Sequence, residues 1–240
     1  MNDGPPNGSA PLGGGQGPDG GLRAVGVRWR QDLDRYVYLD RDHQGERGAF
    51  RAGLRAFLAN PGIQAGTVYR LAQAGRILRQ APGGPWPVRA AARVVGAVLG
   101  LVHPMLAVST DVITGIRIDP GARIGGGLYI GHSGGIVIGP AQIGRNCNIA
   151  HGVTIGSDGI DRDAQPTIGD RVLIAAGAKV FGRLTIGSDA MVGANSVVTR
   201  SVPARHVVLG IPALLVNDRG AFAYVRYRGC DTDPDRLTVR

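Results

Sequence analysis

Between residues 118 and 198 the aliphatic positions fall on a count of six. Ile118, Ile124 and Ile130 are six apart, as are Ile143, Ile149 and Ile155. Ile168, Ile174, Val180, Ile186, Val192 and Val198 then continue the series. Two 13-residue gaps interrupt it, Ile130 to Ile143 and Ile155 to Ile168. The residue four after each aliphatic is mostly small or aliphatic: Ala122, Leu128, Cys147, Val153, Val172, Ala178, Ala190, Ser196. Helices repeat at three and four, and half-buried strands alternate strictly. A fixed period of six instead predicts short strands joined by tight turns, three to a coil, stacked into a prism. The fold class read here is mainly β: a parallel β-helix of about four and a half coils with an α-helical region before it.

That region carries a different pattern. RWRQDLDRYVYL, RGAFRAGLRAFLANPG and TVYRLAQAGRILRQ, within 28–80, place apolar residues at helical spacing. Asn60-Pro61-Gly62 and Pro82-Gly83-Gly84-Pro85 break the helices, and a third helix is expected over about 88–107. The predicted division is a disordered tail at 1–22, helices at 23–112, the prism at 113–216 and a polar C-terminal tail at 217–240 with no chemistry read in it. Residues 1–22 are rich in Gly and Pro and lack the basic start and apolar run of a signal peptide.

The two gaps are the informative irregularities. The first holds IGHSGGIVIG and fits two hexads plus one residue, so Gly134-Gly135 is expected to bulge beside His132. The second, around SDGIDRDAQP at 157–166, extrudes a polar loop able to overhang a groove. Counting three hexads per coil, Ile149 stacks on Ile130, followed by Ile174 and Val192. Two residues further along stand His132, His151, Ala176 and Ala194. Two imidazoles one strand spacing (~4.8 Å) apart, followed by alanines, suit acid–base work beside a flat ledge that an extended molecule can approach.

Composition narrows the partners. The chain of 240 residues has net charge +9, and Lys179 is its only lysine. Such a balance favours acidic partners, but no cluster of aromatic and basic residues of the RNA-binding kind is present, so no nucleic acid is expected. Cys147 and Cys230 offer no disulfide framework, which points to a cytoplasmic protein, and Cys147 falls in the small interior slot. The run VRAAARVVGAVLGLVHPMLAV at 88–108 barely reaches the ~20 residues of a membrane span and is interrupted by Arg89, Arg93, His103 and Pro104. A buried helix is expected there, with membrane contact at most peripheral.

GHSGGIVIG at 131–139, VTIG at 153–156, PTIGDRVLIAAGAKVFG at 166–182, VGANSVVTRSVP at 192–203 and GIPA at 210–213 resemble the serine O-acetyltransferases and their relatives that acetylate other hydroxyls. These are hexapeptide-repeat proteins with a left-handed β-helix. The resemblance implies acetyl-CoA as co-substrate, no metal, and a homotrimer, or a pair of trimers, with sites in grooves between prisms. It puts His132 at the catalytic position, with His151 and Asp119 as further catalytic candidates. The coenzyme maps to Gly156, Ala176, Gly177, Lys179, Ala194 and Arg200, and the acceptor to Asp161, Arg162, Asp163 and Gln165.

The chain also departs from that pattern. Arg117-Ile118-Asp119-Pro120 stands where the serine enzymes carry Asp-Ile-His-Pro, and the loop keeps Asp161-Arg162 but not the following histidine. Arg162 remains able to clamp an acceptor carboxylate. Asp119, Asp161 and Asp163 are alternative partners for an imidazole. The expected activity is acetyl transfer to L-serine or a related small alcohol by histidine general-base catalysis. A sugar, glycan or specialised-metabolite hydroxyl is the alternative, and a non-catalytic scaffold the second. The zinc hydratases sharing this prism need a histidine five after His151, where Gly156 stands.

Overall fold

The computed structural model describes residues 21–41, 49–80, 83 and 85–237. All but the last two residues of the predicted disordered tail, and the final three of the chain, lie outside them.

Helix α1 spans Leu22–Arg41, α2 Ala49–Ala59, α3 Pro61–Arg79 and α4 Trp86–Thr114. Asn60 caps α3 from extended backbone, with Pro61 in the first turn, where a missing N–H costs nothing. Gly115 ends α4 in the left-handed region (φ 65°) and donates its N–H to Asp111 O at 2.8 Å.

The chain then winds into a three-faced parallel β-helix. The first face stacks Ile116–Ile118, Ile136–Ile138, Thr154–Gly156, Lys179–Phe181 and Val197–Val198. The second stacks Arg123–Ile124, Gln142–Ile143, Thr167–Ile168 and Thr185–Ile186. The third stacks Tyr129–Ile130, Asn148–Ile149, Leu173–Ile174, Met191–Val192 and Val207–Leu209, and closes with antiparallel Leu214–Asn217. The hexad aliphatics point inward and fill one continuous core with the small-slot residues, Cys147 included. Ile130, Ile149, Ile174, Val192 and Val208 stack in register, the first four as the count of six predicts.

The first gap resolves differently from a single inserted residue. Ile138, not Ile136, is in register with Ile118 and Ile155. Eight residues therefore run from Ile130 to Ile138 and five from Ile138 to Ile143. Two residues are added before the strand and one is removed after it. The added pair is accommodated where predicted, by Gly134 (φ 111°) and Gly135 (φ 65°), conformations closed to most side chains.

A β-helix leaves its first coil with an open edge of backbone groups. Here the helices close it with side chains. Arg70, on α3, donates to Ile124 O (2.8 Å) and Gly125 O (2.6 Å), and Arg35, on α1, to Gly127 O (2.9 Å). Tyr69 Oη donates to Ala122 O, while Tyr36 Oη accepts Ile130 N–H and Asp32 accepts Leu128 N–H. Arg70 and Asp32 form an ion pair at 2.9 Å with both side chains buried. Burial pushes the Asp32 carboxyl above its ordinary value, and the Arg70 guanidinium opposes that shift.

Two expectations change. Helix α4 extends beyond 88–107, and it is not a buried helix: only Gly96 and Thr114 along it are buried. One side packs on α3 so closely that a Cβ on Gly96 would lie 2.8 Å from Arg79 N and 2.9 Å from Gly75 O. The opposite side faces outward. The C-terminal tail is packed as well as polar. Ala221, Val225, Tyr227 and Cys230 are buried against Leu173 and Met191, before the short helix α5, Pro234–Leu237. Arg171 anchors this tail, pairing with buried Asp189 at 2.9 Å and with Asp235 at 3.4 Å.

Candidate active site

The corner joining the third face to the first is where the histidines lie. His132 and His151 occupy successive coils there, both exposed, with ring centroids 6.0 Å apart and an edge-to-face tilt of 65°. Below them on the same corner follow Ala176-Gly177 and Ala194-Asn195. Left-handed backbone recurs at this corner at Gly135, Gly152, Gly177 and Asn195 (φ 65°, 70°, 73° and 55°). That turn selects glycine or asparagine and leaves a ledge without bulk next to the imidazoles. Lys179 opens the adjoining first-face strand. Its ammonium donates to Gly152 O at 2.6 Å and Thr154 Oγ1 at 3.0 Å, so the cation fastens the turn beneath His151.

The other candidates stand on the opposite edge of the first face. Asp119 follows the first strand there, and its carboxylate accepts Gly121 N–H at 2.6 Å, closing its own turn. Gly156 begins the extruded loop on this edge, and exposed Arg200 lies two coils below. Within the loop, Asp158 Oδ1 accepts the N–H groups of Ile160 and Asp161, which hold its carboxyl below the ordinary value. Asp161 also pairs with Arg183 at 3.2 Å, and its Oδ1 caps Asp163 N–H. Arg162 and Asp163 are exposed. Gln165 donates from Nε2 to Arg162 O, leaving its Oε1 buried without a partner among the described residues.

One chain thus brings together His132, His151, Ala176, Gly177, Lys179 and Ala194. It gathers Asp119, Gly156, Asp161, Arg162, Asp163, Gln165 and Arg200 a strand away. Among the described residues, none of the three carboxylates weighed as imidazole partners meets a histidine.

Sequence reasoning missed a groove of about 300 Å³ between α3, α4 and the first two coils of the first face. Val68, His103, Val108, Arg117, Asp119 and Val137 are among its lining residues. Arg117 points out from the first face and is held by Asp111, on the last turns of α4, through Nε at 2.9 Å and through Nη2. Burial, reinforced by nearby Arg76, pulls the His103 imidazole below its ordinary value, so it is neutral at pH 7 and able to donate or accept. The signal lay in the length of α4: Asp111 falls in the turns that the 88–107 expectation left out.

No protein-family profile matches the chain. A serine acetyltransferase from Mycobacterium tuberculosis is 47% identical over 109 residues, 45% of this chain and 48% of that protein. The match covers about half the length of such curated relatives. Among solved structures, serine acetyltransferase from Brucella abortus in complex with coenzyme A superposes with a TM-score of 0.62 at 29% identity. That superposition covers 82% of this chain and 70% of the other. Soybean serine acetyltransferase complexed with serine gives 0.58 at 33% identity, covering 81% and 70%.

Proposed function

The chain belongs to the serine acetyltransferase-like family of hexapeptide-repeat proteins, and from that premise we propose that it moves an acetyl group from acetyl-coenzyme A to a hydroxyl, with L-serine the first acceptor to test. The observation that carries this reading is the corner at which His132 and His151 sit above a ledge of Ala176, Gly177 and Ala194. The Brucella relative was solved in complex with coenzyme A, which supports acetyl-coenzyme A as the donor.

An alcohol is a poor nucleophile at neutral pH. His132 accepts its proton as the oxygen attacks the thioester carbonyl. The tetrahedral oxyanion then collapses, the carbon–sulfur bond breaks, and the imidazolium returns its proton to the leaving thiolate. Backbone N–H groups of the corner turns are the available oxyanion donors. His151, one coil below, presents its ring edge-to-face to His132, with 6.0 Å between centroids.

The loop that carries Arg162 and Gln165 lies across the first face from these histidines. A complete site therefore takes the corner of one chain and the loop of its neighbour, which is the reason to propose a homotrimer. In it, Arg162 would clamp the acceptor carboxylate, and Gln165 would brace Arg162 through the hydrogen bond from its Nε2 to Arg162 O. A larger alcohol is the second reading. Arg117 carries positive charge where the serine enzymes carry an aspartate, and the groove beside it is walled by Val68, Val108 and Val137.

The test is thiol release from acetyl-coenzyme A with L-serine, homoserine and a panel of sugars, for the wild type and His132→Ala. Turnover that falls by about 10²–10⁴ in the variant supports the general base. Coenzyme binding with turnover only on larger alcohols selects the second reading. Absence of coenzyme binding removes the enzyme reading altogether.

A further inference from the structure

Helix α4 leaves one broad side uncovered. Along its outward side Val94, Val95, Val98, Leu101, Val102, Met105, Leu106, Val108, Val112 and Ile113 are all exposed, Leu101 at 78%, Met105 at 74% and Val112 at 80%. At 100° per residue these positions sweep about 160° of the circumference over roughly 30 Å of helix. Within that arc the only polar side chain is Ser109. Arg89, His103 and Asp111 fall on the other side, towards α3, and exposed Arg93 lies outside the arc at one margin.

Breadth and charge decide what covers this face. A coiled-coil seam is narrower and is flanked by charged positions that set its partner; this face has no such flanks. An area on the order of 1,000 Å² of uninterrupted aliphatic surface is more than a monomer in water leaves open. The helix is long and apolar enough to cross a bilayer by length and composition. Crossing is nevertheless excluded while Gly75 and Gly96 hold α4 against α3, because that side carries the buried Arg70–Asp32 pair and the prism. A helix apolar on one side and fixed to a soluble body on the other lies in the plane of an interface. Trp86, 80% exposed at the start of the helix, and exposed Arg93 two turns on share one margin of the arc, an aromatic and a cationic anchor of the kind such helices carry. The excess of nine positive charges on the chain complements an anionic surface.

We propose that the outward face of α4 docks the protein on an anionic lipid bilayer, with the helix lying in the headgroup boundary and the β-helix standing in water. Arginine supplies the attraction and the valine–leucine–methionine face supplies the depth.

Flotation of the full chain with phosphatidylcholine vesicles, with and without phosphatidylglycerol, tests this. The wild type should float with the anionic vesicles and less so as salt rises. The double variant Leu101→Glu/Met105→Glu should lower partitioning by about a hundredfold. Leu214→Glu, which alters an exposed leucine on the last strand of the prism, should float like the wild type. Circular dichroism establishes that the variants fold. Independently of any α4 disruption, vesicles should shift the emission of Trp86 to the blue, identified by its loss in Trp86→Phe. Wild-type protein that floats with neither vesicle overturns the proposal, as does flotation that the double variant leaves unchanged. If the wild type stays in the buffer and the double variant lowers its mass by light scattering, the face is a contact between copies and the lipid assignment fails.

Discussion

Replacing Arg70 by methionine keeps most of the side chain's volume and removes five hydrogen-bond donors. Asp32 would then sit buried with only the backbone N–H groups of Leu128 and Gly127 and no counter-charge, while Ile124 O and Gly125 O on the first coil would lose their donor. Breaking a buried ion pair from one side costs about 3–5 kcal/mol. Each orphaned carbonyl adds about 1–3 kcal/mol, partly relieved if water reaches the open edge. Arg70→Met should therefore destabilise the junction by about 4 kcal/mol or more, a large share of the 5–15 kcal/mol typical of a domain. Urea unfolding followed by tryptophan fluorescence reads this, because the Trp29 indole donates to Thr67 Oγ1 across the α1–α3 contact. The midpoint should fall by about 1–2 M. The double variant Arg70→Met/Asp32→Leu should recover part of the loss, since the stranded charge is gone while the carbonyl oxygens stay uncapped. A loss below about 1 kcal/mol in the single variant, or a double variant no better than the single, would show that the pair does not close the edge.

Other expectations follow from the same geometry. Ile155→Ala, at the centre of the first-face ladder, should cost about 2–5 kcal/mol in equilibrium unfolding because its neighbours above and below cannot collapse into the gap. Ala194→Phe, on an exposed position of the ledge, should raise KM for acetyl-coenzyme A by about tenfold, 1.4 kcal/mol of lost binding, with stability within about 0.5 kcal/mol of wild type; an unchanged KM would remove the ledge from the coenzyme path. Burial pushes the Cys147 thiol up to about 12, so it should resist alkylation in the native protein and react once unfolded, as peptide mass mapping would show. Because that folded-state value lies above the unfolded one near 8.5, its contribution is intact below about pH 8.5. It is lost as pH rises towards 12, at up to about 1.4 kcal/mol per unit, and Cys147→Ala should flatten that slope in unfolding measured across this range.

The prism was legible because its period is a packing rule written into single residues. Each coil must present an aliphatic at the same interior place, so counting by threes found the stack from Ile130 to Val192 and set His132 over His151 without coordinates. Insertions were legible only in sum. The first gap shows one extra residue, while the backbone adds two before Ile136–Ile138 and removes one after, and only the register with Ile118 and Ile155 separates these. Asp32, Arg35 and Arg70 stand on amphipathic helices, where charged side chains are ordinarily solvated. They are buried because the first coil has unpaired backbone groups, a need that arises from the folded edge and leaves no periodic trace at residues 32–70. Helix α4 failed for the opposite reason. Its hydrophobicity is plain in the sequence, but apolar composition states that water is unwelcome and not what replaces it. Only the contacts with α3 reveal that one face is satisfied and the other is not, and that asymmetry turns an expected core helix into a docking surface.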